Sequence, residues 1–186
     1  MKLPITKQQA LDATALIFIS LIFYWLGFQL QAQLFKFTES IPGVNWFYIP
    51  SGLRVVIILI ANLYGAIGIF IATILIDILY YEDITGYLLI FTAISSAGSA
   101  YIALIFIKIW NAKLRNIDNF NYNWLLNYAI IYSIINSLMH QISWAIFKRE
   151  GVNIFIDIWP MFIGDLLGAA AFLLALGLIL KFKNRM

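Results

Sequence analysis

Four ionisable residues lie within otherwise apolar stretches of the chain: Arg54, Asp77, His140 and Asp165. A charge near the centre of a bilayer costs about 2.5–3.5 kcal/mol on insertion scales, so such residues face a partner or a water-filled cavity. Arginine offers a planar fork of donors that suits an anionic group. The residue types therefore predict a ligand-binding site for a small solute, in which Arg54 and Asp165 neutralise each other when no ligand is bound.

Arg54, Asp77 and His140 also have simpler interpretations that the sequence leaves open. Arg54 could extend its long side chain to the membrane surface. Asp77 could lie at the interface, close to the acidic loop at 82–83. Asp165 is the hardest to explain in this way, because its short side chain cannot reach the surface from a position about two turns inside a helix.

His140 has Asn136 one helical turn before it, and such a pair is typical of hydrogen bonding between membrane helices. A protein metal site needs several ligands, whereas the sequence has one histidine and no cysteine. No phosphate-binding glycine loop and no nucleophile elbow is present either. We therefore expect no metal, no cofactor and no catalytic residue, and we predict that the protein is not an enzyme.

The composition indicates which elements must position these residues. The 186 residues are 63% hydrophobic and 11% charged, with a mean hydropathy of +0.90. Soluble domains average about 45–50% apolar and about 25% charged residues. These values exclude a soluble enzyme, a disordered tail and a nucleic-acid binder, and the net charge of +3 is scattered along the chain. The sequence predicts a single integral membrane domain, 1–186, built from α-helices.

A membrane-crossing helix needs about 20 mostly apolar residues. Five stretches meet this requirement: 11–33, 53–80, 85–109, 124–147 and 157–180. The second contains Asn62 and Gly65 near its centre, and both residue types favour turns. It is therefore either one long helix or a hairpin of two short helices.

The basic residues favour the hairpin. Cytoplasmic ends of membrane helices collect lysine and arginine. With six helices, all three basic clusters face the cytoplasm and the loop with Glu82 and Asp83 faces outward; the clusters are Lys2 with Lys7, Lys113 with Arg115, and Lys181, Lys183 with Arg185. We therefore predict an all-α transmembrane bundle of about six helices, with the second and third forming a short hairpin and both termini cytoplasmic. This topology places the four ionisable residues in the outer half, around a shared cavity.

Small residues indicate where helices pack closely. Gly164 and Gly168 have the i, i+4 spacing that lets two helix backbones approach each other. A second patch of serine, alanine and glycine lies at 95–100. We expect the two helices that carry these patches to be central, so that Asp165 faces protein.

Two motifs resemble those of a known family. The first is Trp-Phe-Tyr-Ile-Pro-Ser-Gly-Leu at 46–53, followed by an apolar run and a glycine-containing turn at Gly65. The second is Trp-Pro-Met-Phe-Ile-Gly-Asp-Leu-Leu-Gly at 159–168. In their order and content they resemble the MASE1 integral membrane sensory domains of bacteria. The resemblance singles out Trp46, Pro50, Ser51, Gly52, Trp159, Gly164, Asp165 and Gly168, and we expect Trp46 and Trp159 to wall the entrance to the site.

The resemblance implies a bacterial inner-membrane protein that senses or binds a small ligand in signal transduction. MASE1 domains are usually fused to a cytoplasmic output domain, so we expect this chain to act through a cytoplasmic or membrane protein partner, surrounded by lipids and without nucleic acid. Two alternatives stay open. Small, basic, six-helix architecture is also similar to the substrate-binding components of energy-coupling-factor vitamin transporters. A structural subunit of a membrane complex would instead have a packed interior.

Overall fold

The computed structural model describes residues 6–110 and 122–183. Within these ranges the chain is almost entirely helical, which confirms the prediction of an α-helical bundle. The described ranges contain five α-helices: α1 (Lys7–Leu34), α2 (Ile49–Tyr80), α3 (Gly86–Trp110), α4 (Tyr122–Ile146) and α5 (Ile154–Lys183). The predicted second and third helices both fall in α2, so five helices stand where about six were expected. Lys2, Lys113, Arg115 and Arg185, on which the topology prediction depends, lie outside the described residues.

Four helices in the described ranges are long and apolar enough to cross a membrane: α1, α2, α3 and the part of α5 from Ile154 to Leu178. Large apolar side chains such as Phe18, Ile60 and Ile78 are exposed on their outer surfaces. In water such exposure would be costly, whereas lipid chains solvate it. The protein is therefore a membrane protein.

The helices pack around an interior that holds both apolar and polar side chains. Helix α2 packs against α1, α3 and α5, and α4 packs against α3 and α5. Helices α2 to α5 thus form a ring, and α1 lies against α2. Helix α4 carries three buried aromatic side chains, Trp124, Tyr128 and Tyr132, into the core.

Helix α2 is interrupted at Asn62, where φ is 52° and ψ is −127°. Both ends of α2 contact the same end of α1: the Ile49 N–H donates to Gln31 Oε1 (3.0 Å), and Gln29 Nε2 donates to Tyr80 Oη (2.5 Å). A straight helix of 32 residues would be about 48 Å long. The two ends lie much closer than that, so the axis of α2 is broken at Asn62.

The segment between α1 and α2 folds into a small cap. It contains a 3-10 turn (Lys36–Thr38) and two short antiparallel strands, β1 (Glu39–Ile41) and β2 (Val44–Asn45). Gly43 makes the turn between the strands with φ of 85°, a conformation that suits glycine. The buried side-chain amide of Gln31 donates from Nε2 to the Phe47 carbonyl oxygen (3.0 Å) and to Asn45 Oδ1 (3.1 Å). The cap is thereby fixed to the end of α1.

The end of α4 reverses the chain toward this cap. Lys148 has φ of 52°, the Arg149 N–H donates to the Trp144 carbonyl (2.9 Å), and the Lys148 N–H donates to the Ala145 carbonyl (3.2 Å). This is the hydrogen-bond pattern of a Schellman motif. It directs Arg149 back over the end of the helix, where its Nη2 donates to the Pro42 carbonyl (3.1 Å).

Candidate functional site

Arg54 is the centre of a buried hydrogen-bond network. Its side chain is 2% exposed. Nη1 donates to Tyr132 Oη (2.8 Å) and to Asn136 Oδ1 (2.9 Å), both on α4. Nη2 donates to Tyr24 Oη on α1. The alternative in which Arg54 extends to the membrane surface is therefore wrong: its guanidinium joins α1, α2 and α4 inside the protein.

Asp165 belongs to the same network, but its partner differs from the prediction. Among the described residues there is no direct ion pair between Arg54 and Asp165. Asn136 lies between them: its Oδ1 accepts from Arg54, and its Nδ2 donates to Asp165 Oδ2 (2.6 Å). Ser99 Oγ also donates to Asn136 Oδ1 (2.8 Å). A carboxamide carries both acceptor and donor atoms, so it can link a cation to an anion that do not touch.

A cavity of about 50 Å³, called here the inner cavity, lies beside this network. Seven of the residues that line it carry a buried polar atom that has no hydrogen-bond partner among the described residues. These atoms are Arg54 Nε, Thr73 Oγ1, Asp77 Oδ2, Thr92 Oγ1, His140 Nδ1, Trp144 Nε1 and Arg149 Nη1. Each buried polar atom without a partner costs about 1–3 kcal/mol. Buried polar groups in proteins almost always have a partner, so seven such atoms on residues around one cavity would be satisfied by water, an ion or a polar ligand.

The inner cavity brings together the four ionisable residues that the sequence singled out. Arg54, Asp77, His140 and Asp165 all line it, and all four are buried. His140 Nε2 lies 3.2 Å from Ser96 Oγ. Asp77 is buried within the protein, and its position at the membrane interface, like the role of each residue in ligand binding, stays a prediction.

The two tryptophans expected at the entrance are placed elsewhere. Trp46 is 48% exposed and Trp159 is 62% exposed, and neither lines the inner cavity. Trp159 precedes Asp165 by six residues, which is about 1.7 helical turns. Its side chain therefore projects from a different face of α5 than the carboxylate does. Trp46 follows β2 on the outer surface of the cap.

The glycines predicted to pack helices lie where backbones meet. A Cβ atom at Gly164 would overlap the Asn45 carbonyl, and one at Gly168 would overlap the Tyr48 carbonyl. A Cβ at Gly52 would overlap the carbonyl oxygen of Gly168. These three glycines let α5 lie directly against the cap and the first turn of α2.

Hydrogen bonds hold this contact. The Tyr48 N–H donates to the Gly164 carbonyl (3.2 Å), and Ser51 Oγ donates to the Asp165 carbonyl (3.0 Å). Pro50 lies in the first turn of α2, where a missing N–H is not needed. The start of α2 is thus coupled to the turn of α5 that carries Asp165.

Arg149 is a site residue that the sequence analysis missed. Its side chain is 2% exposed, and Nε donates to Asp83 Oδ2 (2.5 Å). The guanidinium carbon lies 4.3 Å from the centre of the Trp144 ring, a cation–π contact. In the sequence Arg149 stands in a mixed-charge loop between two helices, where a charge is ordinary. The backbone turn at Lys148 places it over the inner cavity, and no residue pattern signals that turn.

A second cavity of about 250 Å³, called here the vestibule, lies beneath the cap. Its polar lining includes Gln31, Lys36 and Glu39. Tyr48 and Tyr81 line both cavities and form the boundary between them. Burial raises the pKa of Tyr48 and of Tyr81 well above the usual tyrosine value, so both hydroxyls stay protonated at neutral pH.

Comparison with family models, with curated proteins and with solved structures found no match. The resemblance to MASE1 sensory domains therefore rests on the two sequence motifs alone.

Proposed function

We propose that this chain is a multi-pass protein of the bacterial inner membrane that binds a small polar solute in the inner cavity. The observation that carries the proposal is the set of seven unpartnered polar atoms. The residues that carry them belong to α2, α3, α4 and the turn after α4, yet all seven residues line one cavity. A packed interior that served only assembly would pair or exclude such groups, because each one costs free energy.

We further propose that α2 is a hairpin of two short antiparallel helices, so that six helical segments form the bundle. Support comes from Asn62 and from the close approach of Gly65 to Ile57: a Cβ at Gly65 would lie 2.9 Å from Ile57 Cγ2. In a straight helix, residues eight apart are separated by about 12 Å along the axis. With six segments both termini are cytoplasmic, and the cap, vestibule and inner cavity face the outer side.

The partner protein would respond to a change in the position of α5. Gly164 and Gly168 hold α5 against the cap, and Asp165 lines the cavity on the same helix. A solute that favours one packing of α5 over another shifts the population between them, and the cytoplasmic end of α5 carries that change to a partner. Such a mechanism agrees with the sensory function that the MASE1 resemblance implies. In a solute-uptake component the same cavity would release its ligand to a transporter.

Native mass spectrometry of the full chain, released from lipid nanodiscs after gentle purification, tests the proposal. We expect a co-purified solute on the wild-type protein that Arg54→Ala abolishes. Because Arg54→Ala also breaks the central network, the decisive variant is Thr92→Val, which removes an unpartnered hydroxyl at nearly constant shape. It should lower solute occupancy at least threefold.

Thr14→Val is the matched control, since the Thr14 hydroxyl bonds only to the Ala10 carbonyl on the exposed face of α1. It should leave occupancy unchanged. A preparation that carries no solute, but has a stoichiometric protein partner, would contradict the proposal and identify an assembly subunit.

A further inference from the structure

The unpartnered atoms of the inner cavity define the hydrogen-bonding character of its ligand. Arg54 Nε, Arg149 Nη1 and Trp144 Nε1 can only donate. A ligand that satisfies all three must present several acceptor lone pairs. A carboxylate presents about four such sites on two oxygens and is the group that arginine binds best.

Asp77 requires a hydrogen-bond donor on the ligand. Asp77 lines the same cavity, and its buried Oδ2 has no partner among the residues that the structure describes. An ionised carboxylate oxygen can only accept, so the ligand must also carry a donor. The hydroxyls of Thr73 and Thr92 can each donate or accept, so they can bind either an acceptor or a donor group of the ligand.

The charges of the lining residues further limit the net charge of the ligand. Arg54 and Arg149 give the lining two positive charges, and Asp77 and Asp165 give it two negative charges. Asp83 forms an ion pair with Arg149 (2.5 Å), but its side chain is 41% exposed, so solvent screens its charge more than the four charges of the lining. A simple anion or cation would add an uncompensated charge to a buried site, which is costly. A ligand that carries one charge of each sign leaves the balance unchanged.

The size of the cavity sets an upper limit. A cavity needs about 10–15 Å³ of this volume for each water molecule. The inner cavity, at about 50 Å³, therefore holds a ligand of roughly three to five water-sized groups. A vitamin, a nucleotide or an aromatic amino acid is larger than that.

We infer that the inner cavity binds a small zwitterion of the size of glycine, with its carboxylate on Arg54 and Arg149 and its ammonium group on Asp77. The inference rests on the proposed solute-binding function and specifies its ligand class. The vestibule, with Lys36 and Glu39 on its wall, provides one residue of each sign on the way in.

Isothermal titration calorimetry on the full chain in nanodiscs tests the inference with four probes: glycine, acetate, methylammonium and L-phenylalanine. Glycine should bind at least tenfold more tightly than acetate or methylammonium, because each of these lacks one of its two charged groups. L-Phenylalanine carries both groups but is too large, and it should not bind.

Asp77→Asn should shift the binding preference of the cavity from glycine toward acetate. The amide removes the negative charge that holds the ammonium group and leaves the lining with an excess positive charge. Glycine affinity should fall at least tenfold while acetate affinity rises. Asp12→Asn is the matched control, because Asp12 is exposed near the start of α1 and should change neither affinity.

Two results would overturn the inference but leave the proposed function standing. The first is that acetate or methylammonium binds as tightly as glycine. The second is that no probe binds to a protein that carries a different co-purified solute. No binding of any probe by a protein without a co-purified solute would overturn both. Unchanged glycine binding in Asp77→Asn would also overturn the inference.

Discussion

At the scale of single residues, the network depends most on Asn136. Its carboxamide contacts Arg54, Ser99 and Asp165, which belong to three other helices. The sequence presented it only as an uncharged neighbour of His140. Its importance comes from having an acceptor and a donor on one group, placed between a buried cation and a buried anion.

Asn136→Ala should lower the free energy of unfolding by at least about 2 kcal/mol, because it leaves buried groups unpartnered at a cost of about 1–3 kcal/mol each, and more for charged groups. Reversible unfolding in mixed micelles measures the change. Asn127→Ala is the control, since Asn127 is exposed on the same helix. Equal, small effects of the two substitutions would show that the network does not stabilise the fold.

The residues that the sequence could identify share one property. Arg54, Asp77, His140 and Asp165 are polar in apolar stretches, where the cost of burial makes each of them conspicuous. Arg149 is also buried, but it lies in a polar loop and gives no such signal. The direct pairing of Arg54 with Asp165 was wrong because the sequence does not reveal which uncharged side chain lies between two charges.

At the scale of elements, the interruption of α2 determines how the cavity is built. Arg54 precedes Asn62, and Thr73 and Asp77 follow it, yet all three line the inner cavity. The turn residues near 62–65 indicated the break from sequence alone. The β1–β2 cap could not be predicted, because strands of three and two residues are too short to show alternation.

Asn62→Gly should raise the free energy of unfolding by about 1 kcal/mol, because a residue with a side chain pays a strain cost of about 1–3 kcal/mol in such a backbone conformation. Asn127→Gly, in a regular exposed turn of α4, should lower it by a few tenths of a kcal/mol. The same unfolding assay measures both. Equal losses in the two variants would mean that α2 continues as a helix through Asn62.

At the scale of the whole molecule, the vestibule and the inner cavity adjoin each other beside the cap, and Arg54 lines the inner one. Tyr48 and Tyr81 stand between the two cavities, and Arg149 covers the inner one from the end of α4. Binding of an external solute requires that these spaces open to the outer side of the membrane.

Side-specific labelling tests that requirement most directly. The sequence contains no cysteine, so Thr92→Cys introduces a single thiol at the inner cavity. In proteoliposomes of known orientation, Ag⁺, a membrane-impermeant thiol reagent about the size of a water molecule, should modify Thr92→Cys from the outer side only. Ser133→Cys, at a fully buried position that does not line the cavity, should stay unmodified from both sides. Modification of Thr92→Cys from the cytoplasmic side alone, or from neither side, would contradict solute binding from outside.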